Sequence, residues 1–133
     1  MKKLHLCLIT VLCIALCSIF PLRVEAQSED YAGYLSDAAS AQKGLASDGA
    51  NLSIKPQNHT VACMKTLPCS SSGYGILIKD DAGKYVFTEF DQNGNDLAKQ
   101  LLESTNKLDD IKIVVRGRKG PDILQVESIT ERE

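Results

Sequence analysis

Tryptophan is absent, and the 133 residues hold only four tyrosines, three phenylalanines, two histidines and two methionines. With so few aromatics the core must be built from Ile, Leu and Val with a handful of Tyr and Phe, and 133 residues are enough for one domain and not two. Basic residues are also few. Fifteen Lys/Arg stand against 17 Asp/Glu, which removes the electrostatic basis for nucleic-acid binding, because that affinity rests on neutralising phosphates. Serine, histidine and acidic residues show no spacing that makes a nucleophile and base, and no named catalytic acid or base emerges. The expectation is a non-enzymatic protein without a cofactor.

The one long apolar run lies at the start. Lys2 and Lys3 precede "LHLCLITVLCIALCSIF", and "PLRVEAQ" follows, with small residues at Val24 and Ala26. A basic start, an apolar stretch and a small-residue site describe a secretory leader over residues 1–26, cut before Gln27. The run is short of the ~20 residues that a membrane span needs, so no stable span is expected after cleavage. Cys17 follows Leu16, which does not suit a lipoprotein site. Removal of the leader changes the inventory. Cys63 and Cys69 remain of five cysteines, His59 remains of two histidines, and 12 Lys/Arg face 16 Asp/Glu for a net charge of −4. The product is expected to be secreted or periplasmic.

Periodicity organises residues 27–133 into one domain. A short strand is predicted over Gly33–Asp37, followed by an Ala/Ser/Gly/Asp-rich, mostly irregular crossing at about 38–58. "YGILIK" (Tyr74–Lys79) and "KYVFTEF" (Lys84–Phe90) alternate as two strands of a hairpin, with Gly83 in the turn. Tyr85, Phe87 and Glu89 take one face, and Val86, Thr88 and Phe90 the other. Asn95 or Asp96 can cap a helix whose Leu97, Leu101 and Leu102 form one stripe. "IKIVVRG" and "ILQVESITE" then make a second hairpin, with Ile111, Ile113 and Val115 on one face. The order strand, long crossing, hairpin, helix, hairpin predicts a mainly β fold, a five-stranded OB-like barrel. An open α+β sheet is the competing architecture.

"HTVACMKTLPCSSSGYG" (residues 59–75) concentrates the sulfur and imidazole chemistry. Thr60 can act as a helix N-cap, which places His59 outside the helix. A metal site would draw on His59, Cys63, Met64 and Cys69, a set better suited to copper than to zinc. The spacing fits no metal motif, and structural zinc sites want four Cys or His ligands. Redox catalysis lacks the Cys-x-x-Cys spacing. Residues six apart on a straight helix sit about 9 Å apart, too far for a disulfide, but Pro68 interrupts the helix before Cys69. In an oxidising compartment such a pair closes, so a Cys63–Cys69 disulfide is the expectation. A periplasmic copper- or zinc-handling protein is the alternative, and an enzyme with an unrecognised site the second.

"GYLSD", "HTVACMKTLPCSSSGYG", "GKYVFTEFDQNGNDLAKQLLESTNKLDDIKIVVRG" and "ILQVESI" together resemble a group of small, uncharacterised bacterial secreted proteins with an OB-like barrel. The likeness spans nearly all of Tyr34–Ile129. It implies export and architecture and brings no activity. The group is expected to carry Asp-x-x-Cys-Ala after its first strand. Here residues 37–41 read "DAASA", with Ser40 in the cysteine's place, which removes one sulfur from any three-cysteine metal site.

Other segments are plainer. "DQNGND" fails the calcium-loop template, with Asp96 where Gly belongs and Leu102 where Glu belongs, and reads as a turn into a helix cap. "RGRKG" gathers Arg116, Arg118 and Lys119 in a hairpin tip. The expected function is a non-catalytic, monomeric binding module for a small molecule, glycan or envelope protein. OB barrels bind across strands two and three and the flanking loops, so the expected ligand surface is Tyr74, Tyr85, Phe87, Arg116, Arg118 and Lys119.

Overall fold

The computed structural model describes residues 24–133. The expected leader over 1–26 lies outside the described residues, apart from 24–26. The chain is mainly β, with five strands in one sheet and a few helices: β1 (Glu29–Asp37), α1 (Ala38–Lys43), a 3-10 turn (Pro56–Asn58), α2 (Val61–Met64), α3 (Leu67–Ser72), β2 (Tyr74–Lys79), β3 (Tyr85–Phe90), α4 (Gln92–Ser104), β4 (Lys112–Lys119) and β5 (Ile123–Glu131). Neighbouring strands run β1-β2-β3-β5-β4, and β4 returns to β1, so the sheet closes on itself. Closure removes the free edges that invite association. The seam is a short parallel pairing of Glu89 with Ile123 and Phe90 with Leu124. Among the described residues no helix is long and apolar enough to cross a membrane.

Alternation along each strand separates two apolar layers. Leu35, Tyr74, Ile76, Phe90, Ile113, Val115, Leu124 and Val126 point inward, where Ala98 and Leu102 of α4 and Met64 of α2 complete the core. On the outer face Leu77 meets Ala46, Ala50, Leu52, Cys63 and Cys69, with Tyr34, Tyr85 and Phe87 half-buried beside them. The β1–β2 crossing therefore covers the outside of β1, β2 and β3.

That crossing is more regular than the sequence predicts. Asp37 caps α1 by accepting from the Ser40 N–H at 2.8 Å, and Gly44 ends the helix at φ 69°, the left-handed position a C-cap requires. Ala46 N–H bonds to the Ala50 carbonyl, Leu52 N–H to Gly44, and Tyr85 N–H to Ser53. The last of these pins the crossing to the start of β3. Further on, Val61 N–H and Asp110 N–H tie the crossing to the α4–β4 loop through Leu108 and Gln57. Helix α4 also starts earlier than the expected cap at Asn95 or Asp96. Asp91 is the cap, accepting from the Gly94 N–H at 3.0 Å, because the close approach of Gly94 to Phe90 and Val126 lets the first turn pack inward. Strand β1 extends four residues before Gly33, to Glu29, where it pairs with β4 at Gly117.

Gly75 has no room for a side chain. A β-carbon there would overlap the Thr88 carbonyl of the paired strand and sit 2.6 Å from the Phe87 ring. Gly75→Ala is expected to lower stability by about 3 kcal/mol through forced strand separation, read as a fall in the urea midpoint. An unchanged midpoint would contradict the packing described.

Candidate functional site

His59 is buried at 1 % exposure between two carboxylates. Its Nε2 lies 2.8 Å from Asp37 Oδ2 and its Nδ1 2.9 Å from Asp48 Oδ2. Three separate elements supply this arrangement. Asp37 ends β1 and caps α1, Asp48 sits in the crossing, and His59 closes the 3-10 turn just before α2. Thr60 is the α2 N-cap, accepting from the Cys63 N–H at 3.1 Å, as the sequence predicts, and that cap holds His59 outside the helix. Asp48 Oδ2 also accepts from the Thr60 N–H and hydroxyl, at 2.8 and 3.0 Å.

A neutral imidazole has one N–H and could satisfy only one of two carboxylates. The geometry therefore selects the imidazolium, with both nitrogens donating. Burial opposes its charge, but the bonds to Asp37 and Asp48 and their negative charges outweigh it and raise the His59 pKa. Burial likewise pushes both carboxyls up, and the donors overcome it. The Asp37 pKa ends below its ordinary value through His59 and Ser40, and Asp48 falls to about 2 through Thr60, His59 and Ala50. Among the described residues every buried side-chain nitrogen and oxygen has a hydrogen-bond partner.

The two sulfurs border this network as free, buried thiols. The expected Cys63–Cys69 disulfide is thus corrected. Pro68 occupies the first turn of α3, where a missing N–H does no harm, so the two cysteines stand on separate helices and share one buried cluster as unbonded thiols. Cys69 Sγ lies 3.8 Å from Ser40 Oγ. Burial pushes the Cys63 thiol up, so it is not poised as a nucleophile, and His59, with both nitrogens engaged, is not free to act as its base.

Of the other metal candidates, the structure brings His59 and Cys63 together with Asp48, whose ligand atoms lie within 4.8 Å of one another. Met64 is excluded from that group because its side chain fills the barrel core. Asp37 and Asp48 went unmarked in the sequence. Asp37 carried one signal, a helix-capping position three residues before Ser40; Asp48 carried none.

The expected ligand surface is divided. Tyr74 is not on it: the ring is buried inside the sheet with Ile76, and the hydroxyl donates to the Met64 carbonyl at 2.9 Å. Phe87 is half-buried under the crossing. Arg116 pairs with Asp30 at 3.2 Å, and Arg118 and Lys119 lie along β4 beside a hollow with Gly120 and Gln125. Tyr85 lines a different hollow of about 390 Å³, with Tyr34, Lys79, Lys112, Arg132 and Glu133. There the Tyr34 and Tyr85 rings meet edge to face at 5.5 Å, and Lys79 Nζ sits 5.8 Å from the Tyr85 ring centre. Lys112 is paired with Asp110 at 3.3 Å, and no carboxylate partners Lys79 or Arg132 among the described residues.

No family profile, curated protein or solved structure matches the chain.

The clasp has a pH signature. His59, raised above its ordinary 6.5, contributes fully below about pH 6.5, and that stability is lost as pH rises through the raised value. Asp48, depressed to about 2, contributes above its ordinary 3.8, and that stability is lost as pH falls toward 2. Stability should therefore peak between about pH 4 and 6.5. His59→Gln should remove the alkaline decline and cost about 3–5 kcal/mol by stranding buried carboxylates. Denaturant midpoints across pH check both; a variant that kept the wild-type alkaline limb would refute the assignment.

Proposed function

We propose that this chain is an exported, non-catalytic binding module of OB-like barrel architecture whose ligand is an anionic small molecule or the acidic sugar of a glycan. The strand order β1-β2-β3-β5-β4, with α4 between β3 and β4, supports the OB-like reading. The leader-like start supports export.

The observation that carries the ligand class is the Tyr34–Tyr85 hollow. The usual OB face across β2 and β3 is covered by the β1–β2 crossing, which buries Leu77 and half-buries Phe87. What stays open is the end of that face, where two tyrosine rings stand among three cations, Lys79, Lys112 and Arg132, and one acidic residue, Glu133. An aromatic edge offers an apolar platform and hydroxyls, and Lys79 and Arg132, which no carboxylate partners among the described residues, attract a carboxylate or phosphate. Sugars carrying a carboxylate present both complements.

Isothermal titration with an oligogalacturonate tests this. Binding should weaken with salt, and Tyr85→Ala and the double change Lys79→Ala with Arg132→Ala should each reduce affinity about tenfold. Arg118→Ala, in the other hollow, should leave it unchanged. Equal loss from Arg118→Ala, or none from the Tyr85 and cation changes, would move the site elsewhere.

A further inference from the structure

The group formed by Asp48, His59 and Cys63 has more in it than a clasp requires. A clasp between β1 and the crossing needs two carboxylates and an imidazole. It does not need a thiol with its sulfur within 4.8 Å of both a His59 ring nitrogen and an Asp48 oxygen. We propose that Asp48, His59 and Cys63 bind one divalent ion of the zinc class, with Asp37 as the positioning carboxylate behind the imidazole.

The donor set fits that class. Nitrogen, sulfur and oxygen from His, Cys and Asp are the ligands zinc takes, at about 2.0–2.3 Å, and the borderline softness of such a set disfavours magnesium and calcium. Tetrahedral bonds of that length hold ligand atoms roughly 3.3–3.7 Å apart, so atoms already within 4.8 Å of one another need only small side-chain movements. Nδ1 is the nitrogen that faces Asp48, at 2.9 Å, and is the one that would ligate. Nε2 faces Asp37 at 2.8 Å. A metal-bound histidine commonly donates its other N–H to a carboxylate, which fixes the ring, and Asp37 stands where that partner belongs. Three protein ligands leave a fourth position open to water or a further ligand. Asp48, with 15 % of its side chain exposed, is the way in; His59, at 1 %, lies behind it.

The charge balances. Without an ion the site holds two carboxylates and one imidazolium, a net of −1. Binding releases the Nδ1 proton and the Cys63 thiol proton to solvent, and the ion takes their place. Two carboxylates, a thiolate, a neutral imidazole and a divalent cation again sum to −1. The buried region therefore carries the same charge in both states, and the exchange adds no net burial of charge. Cys69 stands outside the set, against Ser40, and Met64 lies in the barrel core.

Cobalt(II) titrated into the reduced, purified protein gives a direct readout, because a thiolate ligand produces a charge-transfer band in the near ultraviolet. The expected result is one cobalt per chain, with a thiolate band that zinc displaces. Cys63→Ser should abolish the band, Cys69→Ser should keep it, and Asp37→Asn should keep it while weakening cobalt about 10–100-fold. Should Cys63→Ser fail to fold, alkylation of the wild type mapped by mass spectrometry decides instead: zinc should protect Cys63 and leave Cys69 unchanged. No thiolate band with the folded wild type, a band surviving in Cys63→Ser, a band lost in Cys69→Ser, or zinc protection of Cys69 in place of Cys63 would each overturn the proposal.

Discussion

A charged imidazole held by Asp37 and Asp48 is the constraint on which the arrangement of this protein rests. Residues 38–73 form a long excursion with little apolar pattern of their own, and such a segment has poor means of ordering itself. His59 gives it a fixed point. The ring reaches back to the end of β1 through Nε2 and across the crossing through Nδ1. A buried ion pair adds little to net stability once desolvation is counted, and its clearest contribution is to specify one arrangement over others. Here it specifies where the crossing lies: over β1, β2 and β3, with Leu52 and Leu77 sealed beneath it.

The position of the crossing then decides what the sheet can do. An uncovered five-stranded sheet of this order would present the outer face of β2 and β3 to solvent. With the crossing in place only the end of that face stays open, and the tyrosine–cation hollow sits there. The same ordering places Cys63 against the carboxylate–imidazole network and Cys69 against Ser40. One electrostatic contact thus fixes the covered surface, the open surface and the surroundings of both sulfurs.

Much of the short-range structure is readable in the sequence. The β2–β3 hairpin, β5 over Ile123–Glu131, the inward set Ile111, Ile113 and Val115, and the Thr60 cap follow from alternation and capping over a few residues. Helix α1 was missed although its signals were present, with Asp37 before it and Gly44 after it, because its Ala- and Ser-rich face resembles a linker. The role of His59 was out of reach, since its partners lie 22 and 11 residues away and neither is marked by a motif. The OB analogy puts Tyr74 on the ligand face, but alternation from Ile76 turns it inward. Cysteine count and compartment favoured a bond, but Pro68 starts a helix at the point where a return turn was expected.

The protonation state of His59 is the most direct test of this account. Nitrogen-15 NMR of the imidazole in the folded, metal-free protein reports each ring nitrogen separately. At about pH 6.5, the ordinary histidine value at which a free ring is half charged, the charged form should dominate, with both nitrogens carrying a proton and both N–H resonances slowly exchanging and coupled to carboxylate acceptors. A neutral ring at that pH, with one bare nitrogen or free rotation between tautomers, would mean that the two carboxylates do not hold it and that the crossing is ordered by something else.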